Sequence, residues 1–259
     1  MIDLPLSGLP IQLNPESGIL QFDSIMNPVQ PAIRNILDAL PYYENQASPK
    51  DNFPIYFMYR NVKRNIDDKM VEDSVYRYDI TVILPGKFGQ EFFKTIGHVH
   101  PKSKQTNLSY TYTEVYSVIY GTAHYIIQQY SHDLEKILDV VDLEVKAGEH
   151  VLIPSFYGHV TVNITKEPLV MANILYRDFD SLYAPYLQKR GAAIYIKDDK
   201  MKEPIYSINP NYDLKVKPRK AYAKEFYAPK LKQMNSLYNQ WIQNLDDFNY
   251  LYEPILGGK

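Results

Sequence analysis

The stretch GEHVLIPSFYGHVTVN, residues 148–163, alternates short runs of Val, Ile and Thr with Gly and Pro. Runs of this composition, separated by turn residues, predict two neighbouring strands. Similar runs lie on both sides of it: YRYDITVILPG (76–86), EVYSVIYG (114–121), AHYIIQQY (123–130), DVVDLEVKAG (139–148), LVMANILY (169–176) and AAIYIK (192–197). Many short strands at near-regular spacing predict an all-β sandwich or closed barrel over residues 51–200.

Composition limits the classes of function. The 28 basic and 30 acidic side chains nearly cancel, so no surface for nucleic acid is expected. The chain has no cysteine, which excludes disulfides, thiolate metal ligands and cysteine nucleophiles, and leaves imidazole and carboxylate to build any metal site. The N-terminus does not read as a signal peptide, and no apolar run approaches the ~20 residues that span a bilayer. A cytoplasmic protein without a membrane segment is expected.

Two flanking segments differ from the strand-rich centre. Residues 1–50 are rich in proline and turn residues, with a short helical pattern at Ile33, Ile36, Leu37 and Leu40, and we expect an arm that packs on the barrel. In the segment 201–259, apolar residues recur at alternating spacings of three and four: Leu231, Met234, Tyr238, Trp241, Leu245, Phe248 and Tyr252. This stripe predicts one helix of roughly 20 residues, ended by Pro254. Packing on the barrel is the favoured role for it, and a dimer contact is the alternative.

Four polar residues, in three separate stretches, interrupt the strand pattern. His98 and His100, in GHVH, project from the same face of a strand, because side chains alternate along it. Glu114 begins an apolar strand, where an unpaired buried charge is costly, and His159 lies within the opening stretch. Each feature alone is more often structural than a ligand, so their combination must carry any inference.

The combination resembles the paired motifs of the cupin superfamily. Glu114 and Gly121 enclose six residues, and 148–163 follows the pattern G-x5-P-x4-H-x3-N. The resemblance implies a double-stranded β-helix (jelly-roll) barrel that holds one divalent metal ion on His98, His100, Glu114 and His159. Phe156 stands where the family usually has glycine. Residues 101–113 make the spacing before Glu114 longer than in the family, and we interpret them as an insertion in a surface loop.

A narrower resemblance concerns TVILPGKFGQEFFKTIGHVH (81–100), EVYSVIYG (114–121) and VLIPSFYGHVTVNITKEPLVMANI (151–174). Together they are similar to the cupin-type, archaeal-type glucose-6-phosphate isomerases, over about residues 78–195. The resemblance implies interconversion of glucose 6-phosphate and fructose 6-phosphate by a homodimer. Fe(II) is the first choice of metal, with Mn, Ni or Zn as alternatives.

The resemblance also assigns roles to individual residues. It implies phosphate binding by the hydroxyls of Thr81, Thr95 and Tyr116 and by the backbone N–H of Gly97, although each threonine alone would pass as an ordinary strand residue. Two tyrosines match site tyrosines of the family: Tyr183, which we interpret as catalytic, and Tyr176, as substrate-binding. Ser181 stands where the family has a histidine, so another group, His150 or a tyrosine, would have to replace that histidine.

The chemistry of the reaction leaves two mechanisms open. Glu114 is the one expected ligand able to move a proton between C1 and C2 of the open-chain sugar through a cis-enediol. In a metal-assisted hydride shift Glu114 would remain only a ligand. Other metal cupins, such as a mannose-6-phosphate isomerase or a dioxygenase, are the main alternative, and a non-catalytic sugar-binding cupin is the second.

Overall fold

The structure is a computed structural model and describes residues 1–104, 110–198 and 204–252. The first strands are β1 (Ile2–Asp3), β2 (Ile11–Leu13), β3 (Leu20–Phe22), β4 (Ala32–Asn35), β5 (Pro54–Tyr59), β6 (Tyr76–Ile83), β7 (Lys87–Phe88) and β8 (Glu91–Phe92). The others are β9 (Glu114–Tyr120), β10 (Thr122–Tyr130), β11 (Ile137–Lys146), β12 (His150–Ile153), β13 (Tyr157–Val162), β14 (Leu169–Tyr176), β15 (Ile194–Lys197), β16 (Ile205–Ile208) and β17 (Arg219–Tyr222). The helices are α1 (Ile36–Ala39), α2 (Asp68–Glu72), α3 (Ala184–Gln188) and α4 (Leu237–Gln243), with 3-10 turns at Pro5–Ser7, Leu40–Tyr42, Asn65–Asp67, Ala223–Glu225 and Leu245–Leu251.

Two sheets form the body of the protein. One has the order β12-β9-β14-β6-β5-β4 and the other the order β13-β10-β11-β17. Isolated bridges from Lys94 to Val162 and from His98 to His159 add the segment 94–98 to the second sheet, beside β13. From β9 to β14 the chain crosses repeatedly between the two sheets, which is the order of a jelly roll. The expected all-β cupin architecture, a double-stranded β-helix, is confirmed.

Large side chains from facing strand positions fill the interior between the two sheets. The ring of Tyr116 on β9 lies 5.1 Å from that of Tyr125 on β10, and the Tyr125 hydroxyl contacts the sulfur of Met171 on β14. All three side chains are buried. This layer of side chains holds the two sheets together.

The N-terminal segment contributes to the main sheet. β1, β2 and β3 form a small sheet of their own, whereas β4 pairs with β5 as the edge strand of the six-stranded sheet. The helical pattern predicted from Ile33 is therefore realised only from Ile36 onward, where Asn35 and Asp38 form a capping box. The division at residues 50 and 200 remains a prediction.

The C-terminal apolar stripe forms a shorter helix than predicted. Ser236 caps α4, and the helix ends after seven residues because Asn244 adopts an extended conformation (φ −155°, ψ 90°). The prediction of one helix of about 20 residues is wrong, since a 3-10 turn follows the break. Trp241 is fully buried and stacks on Tyr78, so the stripe packs on this chain's own sheet. Pro254 lies outside the described residues.

Two further expectations concern segments away from the core. The described ends of the insertion 101–113 pair through a bridge between Lys102 and Thr111, and residues 105–109 lie outside the described part of the chain. Among the described helices, none has the length and apolar character needed to cross a membrane.

Candidate metal centre

Backbone pairing brings the four predicted ligands together. The N–H of His98 donates to the carbonyl of His159, and the N–H of His159 donates to that of His98. His100 follows two residues later on the same face, and Glu114 begins β9 in the opposite sheet. The local pattern thus places two histidines of one segment beside the histidine of β13 and the glutamate of β9.

The distances among the four side chains fit a single metal ion. Their nearest donor atoms all lie within 4.8 Å of one another. Nε2 of His98 is 3.2 Å from Nε2 of His100, and Oε2 of Glu114 is 3.3 Å from Nε2 of both His100 and His159. Two ligand atoms about 2.1 Å from one ion, at a right angle to each other, are about 3.0 Å apart. The observed separations lie between this value and the about 3.4 Å expected at a tetrahedral angle, so the four donors fit around one ion.

The surroundings orient these donors. Nδ1 of His100 lies 3.0 Å from the carbonyl oxygen of Tyr112, which assigns the proton to Nδ1 and leaves the Nε2 lone pair facing the cluster. Nδ2 of Asn173 donates a 2.6 Å hydrogen bond to Oε1 of Glu114. Oε2 of Glu114 has no hydrogen-bond donor among the described residues, although it is buried. A buried carboxylate oxygen in this position fits a cation.

The electrostatic environment favours the charge states of metal ligands. Burial lowers the pKa of His159 to about 4, against the attraction of Glu114, and the neighbouring His100 lowers it further. Burial also holds the pKa of His98 well below its usual value. For Glu114, burial alone would raise the pKa, but the nearby imidazoles of His100 and His159 outweigh burial and lower it. Neutral imidazoles and an ionised carboxylate are the forms that bind a divalent ion.

A pocket opens above the cluster and contains most of the other predicted site residues. Its lining includes Thr81, Thr95, Gly97, Tyr116 and Tyr183, together with His98, Glu114 and His159. The hydroxyl oxygen of Thr95 accepts a 2.9 Å hydrogen bond from the N–H of Thr161, so its own proton is free to donate into the pocket. The Tyr116 hydroxyl is 3.1 Å from Nε2 of His159, and the Tyr183 ring lies 5.6 Å from that of His98.

The conformation of Gly97 explains why no larger residue fits there. Its φ is +77°, and a Cβ atom would lie 2.4 Å from Cγ2 of Val160 and 2.8 Å from the ring of Tyr186. Glycine adopts this backbone conformation without strain. The main chain between Thr95 and His98 can therefore pack directly against the buried side chains of Val160 and Tyr186.

Two predicted residues lie elsewhere. Tyr176 is not among the pocket-lining residues, and its ring stacks on Tyr112 with centroids 4.9 Å apart. His150 is also outside the lining, since its Nε2 lies 2.8 Å from the carbonyl of Asn235 in the C-terminal segment. Ser181 does line the pocket, beside Tyr183. Two groups were considered as replacements for the family histidine, His150 and a tyrosine. The tyrosine, Tyr183, lines the pocket, and His150 does not.

Several polar lining residues were not predicted from the sequence: Arg34, Tyr56, Arg60, Arg77, Asp79 and Asn173. Three of them could have been found. Arg77 and Asp79 alternate with buried apolar residues ahead of Thr81, which places all three on one face of β6. Asn173 interrupts the apolar strand β14 in the same way. For Arg34 no comparable signal existed, because its partner strand lies in another segment.

This chain is similar to known proteins over much of its length. A family model described as glucose-6-phosphate isomerase (GPI) matches residues 36–213. The glucose-6-phosphate isomerases of Pyrococcus furiosus and Thermococcus kodakarensis are each 31% identical over 46% of this chain and 56% of the relative. The enzyme of the same name from Thermococcus litoralis is 21% identical over 73% of this chain and 89% of the relative. The match thus spans about half the length of the first two relatives.

Solved structures with similar folds include an oxalate oxidase in complex with the substrate analogue glycolate (19% identity, TM-score 0.33, 44% of this chain and 48% of that one). Another is the formate complex of Lactobacillus farciminis oxalate decarboxylase (22% identity, TM-score 0.33, 52% of this chain and 32% of that one). The family model, by contrast, spans the metal cluster, most of the pocket and more than half of the chain. The chain therefore belongs to the glucose-6-phosphate isomerase family.

Proposed function

We propose that this chain is a metal-dependent aldose–ketose isomerase that interconverts glucose 6-phosphate and fructose 6-phosphate. The observation that carries the proposal is one pocket that combines the cluster of His98, Glu114 and His159 with the hydroxyls of Thr81 and Thr95. The reaction needs both parts, because the cluster acts at the carbonyl end of the open-chain sugar and the hydroxyls hold its phosphate end. Membership of the family supports the same assignment.

The phosphate end is held without lysine. The hydroxyls of Thr81, Thr95 and Tyr116 donate to phosphate oxygens, and the backbone N–H of Gly97, which also lines the pocket, joins them. The pKa of Tyr116 is held well above its usual value by burial and by the nearby Glu114, so its hydroxyl keeps a proton to donate. Binding at this end orients C1 and C2 towards the cluster.

Glu114 and Tyr183 are the groups assigned to proton movement. The Glu114 carboxylate accepts a proton from one sugar carbon and returns it to the neighbouring carbon, with a cis-enediol between. Tyr183, 37% exposed at the pocket wall, donates a proton to the ring oxygen and regains one from the anomeric hydroxyl during ring opening, in place of the absent histidine at Ser181. A divalent ion on the four ligands supplies Lewis-acid polarisation of adjacent sugar oxygens. In the alternative hydride shift, Glu114 acts only as a ligand.

The finer parts of the proposal concern the ion and the assembly. Three imidazoles and one carboxylate suit first-row metals, and Fe(II) is the first choice, followed by Mn, Ni and Zn. We also propose that the protein is a cytoplasmic homodimer and takes part in glycolysis and gluconeogenesis.

A coupled assay tests the function. Fructose 6-phosphate is supplied, glucose 6-phosphate is detected through a dehydrogenase, and the rate is measured before chelation, after chelation and after add-back of each metal. We expect turnover to disappear with the metal and to return with it. Activity that persists in fully metal-free protein contradicts the mechanism. Mannose 6-phosphate turned over in preference, or oxygen consumed without any sugar phosphate, contradicts the substrate assignment.

A further inference from the structure

Strand β4 brings one arginine into the pocket from a segment that precedes the family match. Arg34 pairs with Tyr56 of β5, and Tyr56 pairs with Ile83 of β6, which also carries Thr81. Arg34, Tyr56 and Thr81 all line the pocket above the metal cluster. The family model begins at residue 36, so Arg34 is a feature that the family comparison does not assign.

The charges around the pocket leave Arg34 without a close counter-ion. Oδ2 of Asp79 lies 2.9 Å from Nε of Arg77 and 3.4 Å from a guanidinium nitrogen of Arg60, so one carboxylate serves two arginines. None of the ion pairs among the described residues includes Arg34, which is attracted by Asp38 from beyond 4 Å. Nε of Arg34 is buried and has no hydrogen-bond partner among the described residues. A donor in that state is ready for an anion.

Arg34 is also connected to the predicted phosphate-binding segment. Its guanidinium lies against the hydroxyl of Tyr56, and the same hydroxyl lies beside the backbone N–H of Ile96. Ile96 stands between Thr95 and Gly97. The positive charge therefore lies beside the segment 95–97, which carries two of the predicted phosphate donors, Thr95 and Gly97.

We propose that Arg34 is a phosphate-binding residue of this chain, which adds a full positive charge to the hydroxyl and amide donors at the phosphate end of the pocket. The proposal rests on the proposed function and deepens it. The lining contains three arginines against the carboxylates of Asp79 and Glu114, an excess of one positive charge before a metal ion is counted. A guanidinium offers a rigid pair of N–H donors that match two phosphate oxygens. The N-terminal segment thereby becomes part of the substrate site.

Direct binding tests this role. The probes are inorganic phosphate and glucitol 6-phosphate, a sugar phosphate without a carbonyl that cannot isomerise, titrated calorimetrically into the metal-loaded protein. We expect Arg34→Gln to weaken both by about 10- to 100-fold and Arg34→Lys by less, because lysine keeps the charge and loses the paired donors. The control Arg219→Gln removes a surface arginine that pairs with Asp139 and Glu225, and its binding should stay within about twofold of the unchanged protein.

A purely structural role for Arg34, as a support for Tyr56, makes a different prediction. Both Arg34 variants would then lower the melting temperature and kcat together, with the phosphate affinity unchanged. If Arg34→Gln fails to fold, Arg34→Lys and its affinity for inorganic phosphate carry the test. Affinities within about twofold of the unchanged protein overturn the proposal.

The outcomes separate this inference from the proposed function. An Arg34-dependent affinity for inorganic phosphate, in a protein that isomerises no sugar phosphate, keeps the anion site and overturns the isomerase assignment. Isomerisation with a KM for fructose 6-phosphate that is unchanged in Arg34→Gln keeps the isomerase and overturns the role of Arg34. Failure of the unchanged protein to bind either probe overturns both.

Discussion

Nδ2 of Asn173 donates a 2.6 Å hydrogen bond to Oε1 of Glu114, between neighbouring strands β14 and β9. Both side chains are buried. The bond occupies one carboxylate oxygen and leaves Oε2 facing the imidazoles of His100 and His159. Asn173 thus sets the direction in which Glu114 can act, as a ligand or as a base.

Removal of this bond should impair the site without unfolding the protein. We expect Asn173→Ala to lower metal affinity or kcat by about 10- to 100-fold, the usual cost of losing a group that orients a metal ligand. Metal content by elemental analysis and kcat in the coupled assay measure the effect. Asn209→Ala is the matched control, because Asn209 is an equally buried amide that bonds to the carbonyls of Lys189 and Ala192. Normal metal content and normal turnover in Asn173→Ala would remove this positioning role.

Substitution of Glu114 distinguishes its possible role as a general base from a role as a metal ligand alone. Glu114→Gln keeps the shape of the side chain and removes its negative charge, so we expect turnover to be abolished even when excess metal restores occupancy. The measurement is kcat at a metal content matched to that of the unchanged protein. A Glu114→Gln protein that binds metal and turns over normally leaves the proton-shuttle mechanism without support and favours the hydride shift.

The hydroxyl of Thr95 should contribute to affinity and not to chemistry. Because its oxygen already accepts from the N–H of Thr161, its proton is available for a phosphate oxygen. Loss of one such hydrogen bond, about 1 kcal/mol, predicts a KM for fructose 6-phosphate about 5- to 10-fold higher in Thr95→Ala, with kcat nearly unchanged. Thr95→Ser retains the hydroxyl and should restore KM. Equal KM values in the alanine and serine variants would contradict phosphate binding by this residue.

The metal cluster could be predicted from sequence because its residues keep fixed spacings within local motifs. His98 and His100 share a face by strand geometry alone, and the pattern around His159 is short and distinctive. The position of Arg34 depends on β4 pairing with β5 across about twenty residues of turns, and no local pattern encodes that register. Long-range pairing of this kind emerges only in the folded sheet.

The break in the C-terminal helix and the position of Tyr176 have a different cause. Spacings of three and four predict a helical face, but the helix begins only after Ser236 and stops at the extended residue Asn244. Trp241 and Phe248 stay buried in the helix and the following 3-10 turn, whereas Met234, ahead of the helix, is exposed. Tyr176 ends the strand that carries Asn173, and its ring stacks on Tyr112 outside the pocket lining. Aromatic packing partners from distant segments decide such positions, and one sequence does not reveal them.

Metal removal should also lower stability. The four donors come together only in the folded protein, so the ion binds the folded state. A free ion concentration of 100 times the Kd then adds about 2.7 kcal/mol to the free energy of unfolding. In a chain of this size that corresponds to a fall of about 5–10 °C in Tm on chelation. Scanning calorimetry with and without chelator, followed by metal add-back, measures it. His159→Gln should have a Tm that responds little to chelator, and an equal response in both proteins would contradict a metal site at His159.

Acid should destabilise the protein partly through His150, whose backbone and side chain connect β12 to the C-terminal segment. His150 is 0% exposed, its Nε2 lies 2.8 Å from the Asn235 carbonyl, and its Nδ1 has no partner among the described residues. Burial lowers the pKa of His150 below its usual 6.5, against the hydrogen bonds that its ring donates to the carbonyls of Asn235 and Lys232. Below pH 6.5 the unfolded chain therefore binds a proton that the folded chain does not, and stability falls as pH falls towards the lowered pKa.

Urea unfolding at pH 7.5 and pH 5.5 measures this contribution. We expect His150→Gln to lose less of its free energy of unfolding between the two pH values than the unchanged protein, because glutamine does not titrate. His132→Gln is the matched control, since His132 stacks on Phe156 at a distance from the C-terminal segment, and it should keep the full acid loss. The buried histidines of the metal cluster are present in all three proteins. A difference in acid-induced loss of stability between His150→Gln and the other two is therefore due to His150. An acid loss in His150→Gln as large as in the other two would show that His150 does not couple the C-terminal segment to pH.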